Sequence, residues 1–217
     1  MRDISDIGVL FDLDGVLVDT EGLYSEFWTE MGEKRYPTGI PDFANVIKGN
    51  TLEVILDTHF PDKAIQDDIV AHLKEYEANM PYKLFDGVKQ LLDELKRMGV
   101  PCAIVTSSGP VKMGMLFDRI PGFRTYFDVV LTDADITRSK PDPQGYLMAA
   151  DAIQRDIRNC FVFEDSLAGT AAGMASGATT VAIASTNPEH VLAGRAHVVY
   201  RSIAEVDLND ILKMPVL

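Results

Sequence analysis

Residues 9–22 read VLFDLDGVLVDTEG, and this stretch decides the fold. It begins as an apolar run typical of a buried strand, and the acidic residues Asp12, Asp14 and Asp19 follow where the run ends. Because side chains alternate along a strand, Asp12 and Asp14 point to the same side and their carboxylates repel each other. Asp and Gly are ordinary turn residues, but a turn leaves the second acid on that side unexplained. A cation that both acids serve would explain it.

The composition is that of an ordinary globular protein. The chain has 217 residues, of which 47% are hydrophobic and 24% are charged, which is enough for one full core and a small accessory domain. The formal net charge of −13 argues against nucleic acid as a partner, because its phosphates would be repelled. An anionic substrate would then need a local positive charge or a metal.

The cysteines and the first residues indicate the compartment. Cys102 and Cys160 each lie in an apolar run, which favours small buried side chains over a disulfide. The first eight residues, MRDISDIG, are polar and acidic, unlike a secretory signal. No apolar run approaches the roughly 18 residues of a membrane span. We therefore expect a cytoplasmic protein with no membrane partner. A monomer is taken as the default oligomeric state, since no pattern in the sequence indicates another.

Short apolar runs alternate with amphipathic stretches along most of the chain. The runs that predict strands buried on both faces are 7–12, 100–106, 126–132, 160–165, 178–184 and 196–200. The amphipathic stretches that predict helices between them are 87–99, 110–120, 143–155 and 166–177. This alternation predicts an α/β fold, with a Rossmann-like, doubly wound parallel sheet covered by helices on both sides.

Residues 17–81 contain no strand-like run. Apolar residues at helical spacing predict three helices there, at 20–34, 51–60 and 62–80. We interpret residues 17–81 as a small all-α cap domain inserted into a core domain formed by residues 1–16 and 82–217. An insertion directly after the strand that carries the paired acids would lie over them as a lid.

Four predicted strands carry polar groups at or just beyond their carboxyl ends, where ligands bind in open parallel sheets. These groups are Asp12 and Asp14 after the first strand, Thr106 and Ser107 after the second, Lys140 beyond the third, and Glu164 and Asp165 at the fourth. Carboxylate oxygens suit Mg²⁺, and hydroxyl and ammonium donors suit phosphate. Each group alone is explained by a helix cap, a surface lysine or an acid at a helix start. Together they predict a magnesium and phosphate site.

The sequence resembles the haloacid dehalogenase superfamily, and in particular its helical-cap phosphatases, the branch that includes β-phosphoglucomutase. The similar motifs are FDLDGVLVDTE (11–21), IVTSS (104–108), SKPDP (139–143) and FEDSLAGTAAGMASGA (163–178), in the family's order. The resemblance implies that Asp12 attacks phosphorus to give an aspartyl-phosphate, and that Asp14 protonates the leaving alkoxide and then activates water. The acid at Asp14 favours phosphoryl transfer over dehalogenation, since halide leaves without a proton.

The resemblance also implies the ligands of the site. Mg²⁺ would be held by Asp12, the backbone carbonyl of Asp14 and Asp165, with Glu164 ordering a metal-bound water. The phosphoryl group would be bound by Thr106 and Lys140 and by the N–H groups of Leu13, Asp14 and Ser107. The leaving group would face the cap. The parts of the cap that line this side would be the loop 47–53, with the candidate binding residues Lys48 and Asn50, and the first cap helix around Tyr24 and Trp28.

Two departures weigh against β-phosphoglucomutase activity. Mutases carry a His in a D-T-x-x-x-H motif where this chain has Tyr24, and a Gly-x-x-Arg in the cap loop where it has Leu52. We therefore expect Mg²⁺-dependent hydrolysis of a phosphate monoester of a small metabolite, such as a sugar phosphate. A phosphosugar mutase and an inorganic pyrophosphatase stay open as alternatives. A phospho-acceptor signalling module also phosphorylates an Asp at a strand end, but such modules are shorter and have no helical insert.

Overall fold

The computed structural model describes residues 3–214 and contains one six-stranded sheet. Its strands are β1 (Gly8–Phe11), β2 (Cys102–Val105), β3 (Val129–Leu131), β4 (Cys160–Glu164), β5 (Thr179–Ile183) and β6 (Val198–Tyr200). All neighbours are parallel, in the order β3-β2-β1-β4-β5-β6. The chain moves outward from β1 to β3 and then crosses to the other side of β1. The predicted doubly wound fold is confirmed, and its switch point lies beside β1.

The α-helices of the described residues fall into two groups, one within residues 21–79 and one from residue 88 onward. The first group is α1 (Glu21–Thr29), α2 (Phe43–Val46), α3 (Leu52–His59) and α4 (Lys63–Asn79). The second is α5 (Val88–Arg97), α6 (Pro110–Arg119), α7 (Gln144–Ala152), α8 (Leu167–Ser176), α9 (Glu189–Leu192) and α10 (Leu208–Leu212). Among these helices, none combines the length and the apolar character needed to cross a bilayer.

Alternate residues of the central strand enter different halves of the core. Phe11 packs on one face of the sheet, where its ring lies 4.9 Å from that of Phe163, in a cluster shared with α5 and α6. Leu10 packs on the other face, with Tyr146 of α7 and Val162. Each fully buried side chain of this size contributes about 1.5–3 kcal/mol. The two-sided core therefore fixes the position of β1, and with it the acids that follow β1.

The helices α1 to α4 have an apolar cluster of their own, formed by side chains such as Phe27, Trp28, Phe43 and Ile69. The predicted helices at 20–34, 51–60 and 62–80 are confirmed, with residues 30–35 continuing α1 as a π-helical segment. The short helix α2 was not predicted, because four residues are too few to show helical periodicity.

The predicted boundary between cap and core falls at residues 16 and 17. Leu17 and Val18, on the cap side of that boundary, pack in the apolar cluster of the sheet, and Val18 pairs with Leu84. The division into two domains with the boundaries given above stays a prediction. Cys102 and Cys160 are both buried thiols, as expected.

Candidate active site

The carboxyl ends of β1, β2 and β4 meet at one edge of the sheet, and α1 to α4 face that edge across a cavity of about 290 Å³. Glu164 is fully buried beside the cavity, and the side chain of Leu13 is buried in the core, so that only the backbone of Leu13 can face a ligand. The other predicted site residues all line the cavity: Asp12, Asp14, Lys48, Asn50, Thr106, Ser107, Lys140 and Asp165.

Lys140 joins the acids at the ends of β1 and β4. Its ammonium forms ion pairs with Asp12 and with Glu164, the latter at 2.6 Å from Nζ to Oε1, and also donates to the carbonyl of Val105 at 3.2 Å. Burial by itself would lower the pKa of Lys140, but the two carboxylates outweigh it and raise that pKa. Lys140 therefore stays positively charged in a buried position, which suits a ligand for phosphate.

Glu164 is the buried partner of Lys140 and is itself held by several hydrogen-bond donors. Its Oε1 accepts from the hydroxyl of Tyr146 at 2.6 Å, and its Oε2 accepts from the N–H groups of Asp165 and Ser166 and from the Ser166 hydroxyl. The carboxylate lies so close to α8 that a Cβ on Gly169 would come within 1.9 Å of its Oε1. Only glycine leaves this space. Glu164 holds Lys140 in place through their ion pair. Because the lone pairs of Glu164 are largely used by these donors, its place among the metal ligands stays a prediction.

Three acids at this edge could hold a metal ion. Asp12, Glu164 and Asp165 each offer a carboxylate oxygen within 4.8 Å of the others, and all three are buried. Burial raises the pKa of Asp12 to about 8 against the opposing charge of Lys140, and Glu164 adds to the rise. The role of nucleophile, which the resemblance implies for Asp12, requires an ionised carboxylate and therefore more positive charge beside Asp12. A divalent cation with oxygen ligands fits this donor set.

Backbone N–H groups and one hydroxyl complete a cradle for an anion. Among residues 3–214, the N–H groups of Leu13, Asp14 and Ser107 have no hydrogen-bond acceptor within reach. Thr106 is almost fully buried, and its Oγ1 accepts from the N–H of Ser108 at 3.0 Å, which leaves the Thr106 hydroxyl proton free to donate. N–H groups without a protein partner beside a cavity, together with a free hydroxyl proton, suit an anionic ligand.

Asp14 is held by donors that the sequence analysis missed. Lys112, from the first turn of α6, places Nζ 2.6 Å from both carboxylate oxygens of Asp14, and its side chain is only 2% exposed. The hydroxyl of Ser108 donates to Asp14 at 2.9 Å, and the hydroxyl of Thr20 donates as well. Burial by itself would raise the pKa of Asp14, but the charge of Lys112 and these hydrogen bonds outweigh it and lower the pKa.

The same lysine connects the core to the cap. Lys112 Nζ lies 4.3 Å from the centre of the Tyr24 ring in α1, a cation–π contact. The Tyr24 hydroxyl donates to Glu77 of α4 at 2.7 Å. Tyr24, which stands where a mutase has His, is thus part of a network that runs from the acid to two cap helices.

The loop between α2 and α3 touches the core at two hydroxyls. Ser107 Oγ donates to the carbonyl of Gly49 at 3.1 Å, and Thr51 Oγ1 lies 3.1 Å from Ser139 Oγ. Lys48 and Asn50 line the cavity here, but the Asn50 amide donates to the carbonyl of Ile47 at 3.1 Å. Asn50 therefore braces its own loop, and a contact of Asn50 with substrate stays a prediction.

Sequence signals for the missed residues were weak but present. Lys112 lies on the same face of α6 as the buried Leu116, four residues on, so a charge interrupts an apolar stripe. Tyr146 lies in the buried face of α7, and a buried tyrosine hydroxyl requires a partner. Thr20 stands at the N-cap of α1 but makes no cap hydrogen bond, because its hydroxyl is given to Asp14.

Comparison with known proteins shows which family the chain resembles. The family model of haloacid dehalogenase-like hydrolases matches residues 8–177. The chain is 32% identical over 206 residues to validoxylamine A 7'-phosphate phosphatase of Streptomyces hygroscopicus subsp. limoneus, covering 91% of this chain and 94% of that protein. It is 31% identical over 181 residues to hexitol phosphatase A of Escherichia coli (strain K12), covering 81% and 82% of the two chains.

A solved structure has the same fold over nearly the whole chain. The HAD hydrolase of family IA, variant 3, from Entamoeba histolytica HM-1:IMSS superimposes with a TM-score of 0.79 at 25% identity, covering 94% of this chain and 97% of that one. The sheet order, the strand-end residues and these similarities lead to one conclusion. The chain belongs to the haloacid dehalogenase-like hydrolase family and is a phosphatase of that family.

Proposed function

We propose that this protein is a Mg²⁺-dependent phosphohydrolase that cleaves a phosphate monoester of a small metabolite, such as a sugar phosphate, through an aspartyl-phosphate on Asp12. The observation that carries the proposal is the convergence of Asp12, Lys140, Thr106 and three unpartnered N–H groups at one strand edge. One relative is named for validoxylamine A 7'-phosphate and the other for a hexitol. For this chain we propose only the class of substrate, a small phosphorylated metabolite, and neither of these two compounds.

The residues divide the reaction between them. Asp12 attacks phosphorus and forms a P–O bond as the bond to the leaving oxygen breaks, while Asp14 gives that oxygen a proton. Lys140, the Thr106 hydroxyl and the N–H groups bind the oxygens of the phosphoryl group during transfer. In the second step Asp14 takes a proton from water, the water oxygen attacks phosphorus, and Asp12 is released with inorganic phosphate.

Lys112 affects the protonation of Asp14 in both steps of the proposed reaction. Its ammonium favours the ionised carboxylate, which is the form that takes a proton from water in the second step. Proton donation in the first step requires the leaving group to displace one of the donors now bound to Asp14. The hydroxyls of Ser108 and Thr20 and the ammonium of Lys112 are those donors.

The candidate metal ligands are Asp12, Asp165 and the backbone carbonyl of Asp14, with Glu164 behind them. When bound there, Mg²⁺ would supply the positive charge that favours ionised Asp12 and offsets the charge of the phosphoryl group. Lys140 would supply the other positive charge from the side of β4.

The alternatives differ in what they would do with a second phosphate. Leu52 lines the cavity with an apolar side chain, and the Tyr24 hydroxyl is engaged by Glu77, so neither position provides a clamp for a second phosphate. This favours hydrolysis over a mutase reaction. Inorganic pyrophosphate stays an alternative substrate. The signalling-module alternative is set aside because the chain is a phosphatase of a hydrolase family. A cytoplasmic location and a monomeric state stay predictions from the sequence.

Substitution of the nucleophile tests the proposal. The Asp12→Asn variant should lose hydrolysis of p-nitrophenyl phosphate by at least about 10³-fold, which is about 4 kcal/mol of transition-state stabilisation. The matched control is Asp19→Asn, which removes an exposed acid from the same motif and should keep the parent's rate. Removal of divalent cations by a chelator should abolish turnover, and added Mg²⁺ should restore it. Parent-like turnover by Asp12→Asn, or turnover without a metal, would refute the scheme.

A substrate screen separates the remaining alternatives. Sugar phosphates, phosphoglycolate, nucleotides and pyrophosphate, each assayed with Mg²⁺, should show phosphate release for a monoester. Conversion of a sugar phosphate to its isomer without net phosphate release would identify a mutase instead.

A further inference from the structure

The loop that follows β5 lies against both segments that carry the candidate metal ligands. The Ser185 hydroxyl donates to the carbonyl of Gly15, directly after Asp14, and the Asn187 amide donates to the carbonyl of Asp165 at 3.0 Å. The loop thus binds the backbone at the ends of both β1 and β4. The resemblance and the motifs assigned no role to it.

Thr186 lies between these two contacts, and its hydroxyl has no partner. Among the side chains that the structure describes within residues 3–20 and 22–214, only Thr186 Oγ1 and Thr180 Oγ1 are buried polar atoms without a hydrogen bond. A native protein rarely leaves a buried hydroxyl unsatisfied, because its desolvation is not repaid. Such an atom indicates either a small energetic defect or a partner that is not protein.

The surroundings of the two hydroxyls differ. A Cβ placed on Gly15 would come within 2.1 Å of Asp165 Oδ2 and within 2.8 Å of Thr186 Oγ1, so both oxygens border the same small space beside the Gly15 Cα. Gly15 has a φ of +81°, which keeps this position a glycine. Thr180 Oγ1 instead borders Gly173 of α8, near the amino end of β5 and away from the cavity.

We propose that Thr186 is a positioning residue of the metal site, whose hydroxyl hydrogen-bonds a water carried by the cation that Asp12 and Asp165 hold. The inference rests on the proposed Mg²⁺ dependence. Water on a divalent cation is a strong donor, and Thr186 Oγ1 is an unused acceptor beside one of the ligand carboxylates. Partners that act through the ligands or waters of a metal typically change its affinity by about 10–100-fold.

The test measures Mg²⁺ binding rather than turnover. In Thr186→Val, which keeps the shape of the side chain and removes the hydroxyl, the Mg²⁺ dissociation constant of the substrate-free protein, measured calorimetrically, should rise about tenfold. The matched control, Thr180→Val, removes the other unpartnered hydroxyl and should leave that constant unchanged. Thr186→Ser restores the hydroxyl and should restore most of the affinity.

Melting temperatures without Mg²⁺ separate binding from folding. Both valine variants should melt at or above the parent's temperature, because each loses a buried hydroxyl that is unsatisfied in the metal-free protein. Added Mg²⁺ should then raise the melting temperature less in Thr186→Val than in the parent. Equal dissociation constants for the parent and Thr186→Val, or equal losses in both valine variants, would overturn the inference and leave the proposed function intact. A parent that binds no Mg²⁺ and works without it would overturn both.

Discussion

The Lys112→Met substitution tests the ion pair that holds Asp14. Methionine keeps the length and the apolar stem of the side chain but removes the ammonium from between the two Asp14 oxygens, each 2.6 Å away. The Asp14 carboxylate then stays in a nearly closed site with only the hydroxyls of Thr20 and Ser108 as donors. The Tyr24 ring loses its cation contact as well.

The expected loss of stability follows from burial. Removal of one partner from a buried ion pair costs about 3–5 kcal/mol, whereas an exposed pair is worth about 0–1 kcal/mol. The Lys112 side chain is 2% exposed and that of Asp14 is 15% exposed, and Asp14 keeps two hydroxyl donors, so we expect the lower end, about 3 kcal/mol. At about 2–4 °C per kcal/mol for a chain of this size, the melting temperature should fall by about 6–12 °C.

Denaturant unfolding of four proteins measures the pair itself. The parent, Lys112→Met, Asp14→Asn and the double variant form a cycle, in which the double variant should be less destabilised than the sum of the single variants by about 2 kcal/mol. Lys89→Met is the matched control, because Lys89 also lies 2.6 Å from a carboxylate, that of Asp93, but with 69% of its side chain exposed. It should unfold like the parent.

Two results would refute this reasoning. A loss of less than about 0.5 kcal/mol in Lys112→Met, the size of an ordinary surface substitution, would mean that the pair is not buried in solution. Additive effects in the cycle would mean that Lys112 and Asp14 do not interact.

Two further predictions concern Glu164. Gly169→Ala should lose more than about 3 kcal/mol or fail to fold, because the new Cβ would lie 1.9 Å from the Glu164 carboxylate. Gly114→Ala, in the exposed face of α6 with nothing within 4 Å, should gain about 1 kcal/mol in the same unfolding assay. Tyr146→Phe removes the 2.6 Å hydrogen bond to Glu164 and should cost about 1.5–3 kcal/mol. In that variant kcat should also fall while the fold is kept, and parent-like kcat would show that Glu164 does not position Lys140 through this contact.

The sheet and the outline of the site could be predicted because each rests on a local pattern. A strand buried on both faces has to be an apolar run, so β1 and β4 can each be predicted from their own residues. The acids at the ends of these strands can be recognised as candidate site residues, because carboxylates placed together directly after a buried strand repel each other and destabilise the fold unless a ligand offsets their charge. The short helix α2 carries no such pattern, since one turn gives no period to detect.

The partners of the site residues could not be predicted, because they come from elements whose orientation the sequence leaves open. Lys112 resembles any lysine of an amphipathic helix until the rotation of α6 about its axis is known. Thr186 belongs to a loop, and its relevance depends on the crossing that brings β5 beside β4. Ser107 differs from these residues, because its motif singled it out in the sequence. Its motif did not predict that its hydroxyl would donate to the carbonyl of Gly49 in the cap loop.

The pairing of β1 with β4 has a consequence for how the protein folds. The N–H of Asp12 donates to the carbonyl of Phe163 at 2.9 Å, so the pairing of the two strands extends to Asp12, the proposed nucleophile. A slip of one residue would exchange the two faces of the strand, bringing the core side chain of Leu13 to the site and burying Asp12 among apolar groups. Misregistered pairing would therefore be energetically expensive as well as inactive. The alternation of acid, leucine and acid in residues 12–14 thus helps the chain to select its correct register. The two carboxylates proposed for the reaction therefore also disfavour misregistered strand pairing during folding.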